Sequence, residues 1–307
     1  MKALVISGGG SKGAFAGGIA QFLIQDCKKQ YDLFMGTSAG SLLIPLLSLG
    51  DLEKLHKIFT SVTQADIFNV NPFVINKKKD VFKTKINHLG ILKMFLQRKK
   101  TFGESLNLRN LIRQFLTTED FLKIQTGGPD VVITVSNLTT MQVEYKLAKN
   151  CNYEDFCDWM WASSNVVPFM SLLQKNNAEY ADGGLGNIVP VSHAIKMGAT
   201  EIDVIILKAE RREINNPPVR NALELTERAF DFMLNQIQMD DLLIGQMEGM
   251  QKNVSLNIYQ PPQTLTTNSL IFDPLKMKEW WRHGLKYAKE NSPCYKVIEA
   301  KGGKVVI

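Results

Sequence analysis

Residues 35–41 read Met35-Gly36-Thr37-Ser38-Ala39-Gly40-Ser41, set between the apolar runs 31–35 (YDLFM) and 41–50 (SLLIPLLSLG). A serine fenced by two glycines, where a strand hands over to a helix, has two readings. One is a tight turn. The other is a nucleophile elbow, G-x-S-x-G, in which the serine is forced out of the backbone so that its oxygen meets a substrate. Residues 2–6 (KALVI) end in three glycines, and 13–29 (GAFAGGIAQFLIQDCKK) place apolar residues at helical spacing and close on lysines, which suit a helix C-terminus. The first fifty residues therefore read strand, helix, strand, helix. That order predicts an α/β fold with a parallel sheet covered by helices. Pro45 falls inside the second helix and predicts a kink there.

Composition narrows the class. The 307 residues are 45% apolar and 21% charged, as in ordinary globular proteins. No internal repeat or low-complexity linker divides them, so one domain over 1–307 is the simplest organisation. No apolar run approaches the roughly 20 residues that cross a bilayer. The first apolar run is shorter than a signal-peptide core of about 7–15 residues, which predicts cytoplasmic residence. Cys27, Cys151, Cys157 and Cys294 form no C-x-x-C pair and no zinc spacing, so buried free thiols and no metal are expected. Net charge is +6, with basic clusters at 77–79 (KKK), 98–100 (RKK) and 211–212 (RR). These are either solvated faces or a surface for anionic membranes. No stacking array of aromatics accompanies them, which argues against nucleic acid.

Farther along, 51–125 carries helical spacing and little strand character. Sheet patterning returns at 130–138 and 141–148, which are expected to pair. A helix over 153–163 follows, then a strand (178–181, AEYA), a turn, a helix from near Pro190 and a strand over 202–207. Residues 211–218 read as a surface loop and about 219–248 as a long helix, with Met233, Met239 and Met247 as interhelical filler. Late strands are expected at 254–261 and 270–272, and a last helix over 274–290. The segment 86–98 (INHLGILKMFLQR) has an apolar face and a basic flank. It is either a lid or interfacial helix, or a helix packed on the core.

Residues 8–13 (GGGSKG) match G-x-G-x-x-G through Gly8, Gly10 and Gly13. A dinucleotide site would want an acid at the end of the second strand. Asp32 stands at that strand's beginning instead, and Gly36-Thr37-Ser38 occupy its end. A P-loop is excluded because no G-K-[ST] follows. A glycine loop opening a helix also gathers backbone N–H groups at one spot, as an oxyanion hole requires. A serine nucleophile needs a base. Of His56, His88, His193 and His283, none has the sequence context of a triad base, and His193 comes nearest. Asp182-Gly183-Gly184, after the strand AEYA, is the other candidate; alone it is ordinary turn chemistry, but its predicted place on the same sheet edge as Ser38 favours a partnership.

GGGSKG, GTSAG (36–40) and DGG (182–184), in that order, resemble the patatin-like phospholipase family, the bacterial-type serine lipid acyl hydrolases that use a Ser–Asp dyad. WASSNVVPFM (161–170) and NIVP (187–190) are similar to the family's Ala-Ser-x-x-x-Pro-x-Phe and Asn-x-Pro stretches. The likeness covers about 1–208, leaving about 209–307 as a helical elaboration. It implies a three-layer fold with a mostly parallel central sheet. Ser38 would be the nucleophile, Asp182 the general base, and Gly8, Gly9 and Gly10 the oxyanion loop, with donors around Gly9 and Gly10. Lys12, Gly13, Gly36, Gly40, Gly183 and Gly184 would support them. Lys12 stands where the family usually has arginine, keeping the charge without the planar fork. The resemblance further implies lipid ester substrates, an acyl-enzyme and no cofactor; peripheral contact with an anionic membrane rests on the basic clusters alone. An α/β-hydrolase would place several strands before the elbow and a histidine last. A catalytically silent lipid-binding protein on the same fold remains the alternative.

Overall fold

The leading elements are β1 (Lys2–Ile6), α1 (Gly13–Gln21, prolonged by a π turn over Phe22–Asp26), β2 (Leu33–Thr37) and α2 (Ala39–Ser48), with Pro45 inside α2. β1 and β2 pair in parallel, Ile6 opposite Gly36. The computed structural model describes residues 1–78, 81–210, 218–219 and 222–292. The order continues α3 (Leu52–Ser61), α4 (Gln64–Ile67), β3 (Phe73–Lys78), β4 (Val81–Ile86), α5 (His88–Leu96), α6 (Leu106–Phe115) and α7 (Thr118–Thr126). Next come β5 (Asp130–Asn137), β6 (Gln142–Leu147), α8 (Tyr153–Ser163), β7 (Leu173–Lys175), β8 (Ala178–Asp182), α9 (Val191–Lys196) and β9 (Glu201–Ile205). α10 (Ala222–Lys252), β10 (Ser255–Tyr259) and α11 (Pro274–Asn291) complete the described chain.

The main sheet runs β10-β9-β1-β2-β5-β8-β7, with β6 also on β5. Pairings from β10 through β5 are parallel. Those of β5 with β6 and β8, and of β7 with β8, are antiparallel. β1, β2, β5 and β9 are buried almost throughout, as strands covered on both faces must be. Leu4, Ile6, Phe34, Ile133 and Val135 face one apolar layer, shared with α1, α2, α8 and α11. Ala3, Val5, Met35, Val132 and Val204 face the other, where Val191, Ala194 and Ile195 of α9 pack. This is the three-layer, mostly parallel α/β arrangement expected from the sequence. No helix among the described residues is long and apolar enough to cross a membrane.

Several elements differ from the sequence reading. β3 and β4 form an antiparallel hairpin, Phe73 opposite Ile86, inside the stretch read as helical; lysines among its residues hide the period-two pattern. β8 runs against β5 rather than with the parallel set. Residues 270–272 are loop, not strand. Cys151 and Cys157 are free thiols, whereas Cys27 is disulfide-bonded, contrary to the free-thiol expectation. Lys99 pairs with Glu104 and Lys100 with Glu179, so part of the 98–100 charge is matched. Lys79, the 211–217 part of the expected loop with Arg211 and Arg212, and Cys294 lie outside the described residues.

Candidate active site

Ser38 sits between β2 and α2 with φ 54° and ψ −121°, a conformation that costs a non-glycine residue about 1–3 kcal/mol unless its surroundings enforce it. The flanking glycines show why the chain bends here. A Cβ on Gly40 would lie 2.2 Å from the Ile6 carbonyl oxygen, and one on Gly36 would lie 2.5 Å from the Gly40 carbonyl carbon. The first turn of α2 thus crosses the ends of β1 and β2 at backbone contact. A serine cluster holds the bend. Ser38 N–H donates to Ser163 Oγ (3.0 Å), which donates to the Thr134 carbonyl (2.7 Å). Ser41 and Ser164 hydroxyls donate to the Ser38 carbonyl, at 2.6 and 3.2 Å. None of these three supporting serines was singled out by the sequence reading, although Ser163 and Ser164 lie in the WASSNVVPFM stretch.

The glycine loop faces this serine. A Cβ on Gly8 would stand 3.1 Å from Ser38 Cβ. Gly10 has φ 56°, and a Cβ there would meet the Ser269 carbonyl oxygen at 2.2 Å. That carbonyl accepts from both Ser11 N–H (2.9 Å) and Ser11 Oγ (3.1 Å). Gly8 N–H donates to the Ile188 carbonyl (3.3 Å). The N–H groups of Gly9 and Gly10 make no hydrogen bond among the described residues.

Asp182 reaches the same point from the opposite direction. On β5, Thr134 pairs with Thr37 and the next residue, Val135, pairs with Asp182. β6 occupies the other edge of β5 over 132–137, so β8 must prolong the line of β2. The two strands abut head-on, carboxyl end to carboxyl end, with Ser38 and Asp182 at the junction. A Cβ on Gly183 would lie 2.3 Å from the Thr134 carbonyl oxygen, so the closure needs glycine. Asp182 is 5% exposed. Burial pushes its carboxyl up to about 7, opposed by the neighbouring Ser38 hydroxyl and by the Gly184 N–H, which donates to it at 2.8 Å. His193 is stacked on Tyr145 instead, ring centroids 3.6 Å apart.

Residues 4–195 match the model of the patatin-like phospholipase family. The chain belongs to that family. It is 26% identical over 195 residues to "Probable lipid hydrolase 463L" of Invertebrate iridescent virus 6, an alignment covering 64% of this chain and 63% of that protein. The chain thus spans under two thirds of that relative's length. The crystal structure of VipD from Legionella pneumophila superposes with a TM-score of 0.50 at 14% identity, covering 94% of this chain and 66% of that one. That likeness is one of fold.

In this patatin-like chain Ser38, Asp182 and Gly8–Gly10 open on a cavity of about 780 Å³. Leu42, Phe59, Val62, Leu108 and Phe115 form an apolar wall. Lys12, Lys208, Glu224, Arg228 and Asp231 bring charge to the lining. None of the four histidines lines it. Much of the wall comes from beyond residue 208: α10, the 264–272 loop and Met277 of α11. The sequence reading assigned nothing to that third, because no motif marks residues that act by lining a wall. Among the described residues no three His, Cys, Asp or Glu side chains gather as a metal site would require.

Proposed function

We propose that the protein is a serine lipid acyl hydrolase that cleaves carboxylic esters through a Ser38–Asp182 dyad. The observation that carries this reading is the meeting of β2 and β8 end to end, which sets the buried Asp182 carboxylate beside a serine held on an elbow. Ser38 Oγ attacks the ester carbonyl as its proton passes to Asp182. The negative charge gathers on the former carbonyl oxygen, where the Gly9 and Gly10 N–H groups meet it. Gly8 has its N–H committed to Ile188 and serves by close approach to Ser38. A donor of this kind is worth about 2.7–4 kcal/mol of barrier. Collapse expels the alcohol, which takes the proton from Asp182 and leaves an acyl-Ser38 ester. Water, giving a proton to Asp182, then attacks that ester; the acyl–Oγ bond breaks, Ser38 Oγ takes the proton back from Asp182, and the fatty acid leaves.

The apolar wall suits an acyl chain, and the charged residues of the lining suit a polar head. α5 supplies a surface for approach to lipid: Leu89 and Leu96 are 81% and 77% exposed, with Leu92 and Phe95 also exposed. An apolar helix face beside basic residues is the pattern of interfacial helices.

The test is intact-mass analysis after exposure to a fluorophosphonate, which reacts with activated serines. One adduct on wild type and none on Ser38→Ala is expected. Equal labelling of both proteins, or none on either, overturns the dyad assignment, and the second result is what a silent lipid-binding protein would give.

A further inference from the structure

The short segment Asn187–Val189 touches all three parts of the site. Its Asn187 carbonyl accepts from the Thr37 hydroxyl (3.1 Å), one residue before Ser38. Its Ile188 carbonyl accepts from Gly8 N–H (3.3 Å). The Ile188 side chain lies 3.1 Å from where a Cβ would stand on Gly8 and 3.3 Å from one on Gly184. Whatever fixes this segment fixes the elbow, the glycine loop and the aspartate loop relative to one another.

One group holds it. Asp241, on α10, accepts through a single carboxylate oxygen from Ile188 N–H (2.6 Å) and Val189 N–H (3.0 Å). The Asn187 amide, oriented so that both its ends are satisfied, donates to the same oxygen (3.2 Å) and accepts from the Tyr145 hydroxyl (2.8 Å). Asp241 forms no ion pair among the described residues and does not line the cavity. Burial pushes its carboxyl up to about 6, against the pull of the two N–H donors. A half-buried carboxylate without a cation is a poor stabilising device, and its three contacts all go to one strip of backbone and its flanking amide.

Resting on the dyad reading, we propose that Asp241 is a positioning residue for ester hydrolysis: it locks Asn187–Val189 from behind and so sets the distance between Ser38 and the glycine loop. Asp241→Ala frees the strip. Asp241→Asn keeps an oxygen that accepts the same two N–H groups.

Hydrolysis of p-nitrophenyl butyrate and amide hydrogen exchange test this on wild type, Asp241→Ala and Asp241→Asn, with Ser38→Ala as the activity blank. In Asp241→Ala, kcat falls about 10–100-fold, the scale of a roughly 1 Å misplacement, while KM stays within about twofold if binding is untouched. Asp241→Asn restores most of kcat. Exchange speeds up in peptides covering 5–13 and 186–190 of Asp241→Ala and stays unchanged in those covering α11. An Asp241→Ala enzyme with wild-type kcat, or an Asp241→Asn enzyme as impaired as the alanine variant, overturns the proposal. So does unaltered exchange over 5–13 in Asp241→Ala, whether or not wild type turns over. Wild type as inactive as Ser38→Ala sinks the dyad reading instead, and the exchange comparison still decides the coupling. Should Asp241→Ala not fold, Asp241→Ser, too short to reach both N–H groups, replaces it in both measurements.

Discussion

In the proposed mechanism Asp182 sets the pH behaviour of the site. A base must be ionised to take the serine proton, and this carboxyl is pushed up to about 7 by burial. In the proposed mechanism kcat/KM therefore rises with pH along a single ionisation near 7 and falls away below it. A flat profile from pH 5 to 8 contradicts Asp182 as base. Stability runs the other way. With a folded-state pKa above its unfolded value, Asp182 contributes stability that is present in full below about 4 and is lost as pH rises through about 7. Asp182→Asn should thus be inactive yet melt at or above the wild-type Tm at pH 8, with the difference shrinking toward pH 4. Each kcal/mol regained raises Tm by about 1.5 °C in a chain of 307 residues. Thermal melts at the two pH values measure it. The turns that carry Ser38 and Asp182 were legible in the sequence because the glycines beside them are demanded by backbone contacts of 2.2–2.5 Å. The engagement of Gly8 N–H was not legible, since its acceptor, Ile188, lies 180 residues away and the NIVP stretch does not mark a backbone carbonyl as a partner.

At the scale of elements, the elbow depends on α8 as much as on β2. Ser163, the last residue of α8, is the acceptor for Ser38 N–H. Ser163→Ala leaves that buried N–H unpaired, at a cost of about 1–3 kcal/mol. Urea unfolding should show this loss together with reduced activity, whereas an unchanged midpoint would mean that the elbow is held by its other contacts. α5 makes a different kind of prediction. Its exposed residues Leu92 and Phe95 contribute little to the fold, while Lys99 and Lys100 beyond it are already paired with acids. Replacing Leu92 and Phe95 by Gln should weaken co-sedimentation with anionic phospholipid vesicles without lowering Tm; replacing Lys99 and Lys100 by Gln should matter less. The reverse ranking would make the approach electrostatic. α5 itself was legible from its spacing. The adjoining hairpin was not, since the lysines at 77, 78, 83 and 85 mask the alternation of its apolar residues. Nor was the direction of β8, because a five-residue strand carries no mark of whether its neighbour runs with it or against it.

For the whole molecule the decisive question is what the last third does. It is more than a helical elaboration: the strand expected at 254–261 is β10, and it pairs with β9 in the main sheet. α11 lies against α1 so closely that a Cβ on Gly18 would stand 2.0 Å from the Trp281 carbonyl oxygen. Trp281 is 2% exposed, and its indole N–H donates to Gln21 (2.7 Å). It belongs to the same apolar layer as Leu4, Ile6 and Phe34 under the sheet. Motifs lie where chemistry constrains the backbone, so the first 208 residues announce themselves. The remainder is constrained by packing, which many sequences satisfy. Two experiments measure its weight. Trp281→Ala opens a large hole in the layer and should cost about 3–5 kcal/mol in chemical denaturation. A chain ending at residue 208 would lose that layer's cover and would leave β9, buried on both faces, as a bare edge, the usual start of aggregation. It should show no cooperative melt by circular dichroism and elute as aggregate. A monomeric 1–208 chain with a sharp transition would mean that the motif-bearing part folds on its own, and that α10, β10 and α11 serve the cavity alone.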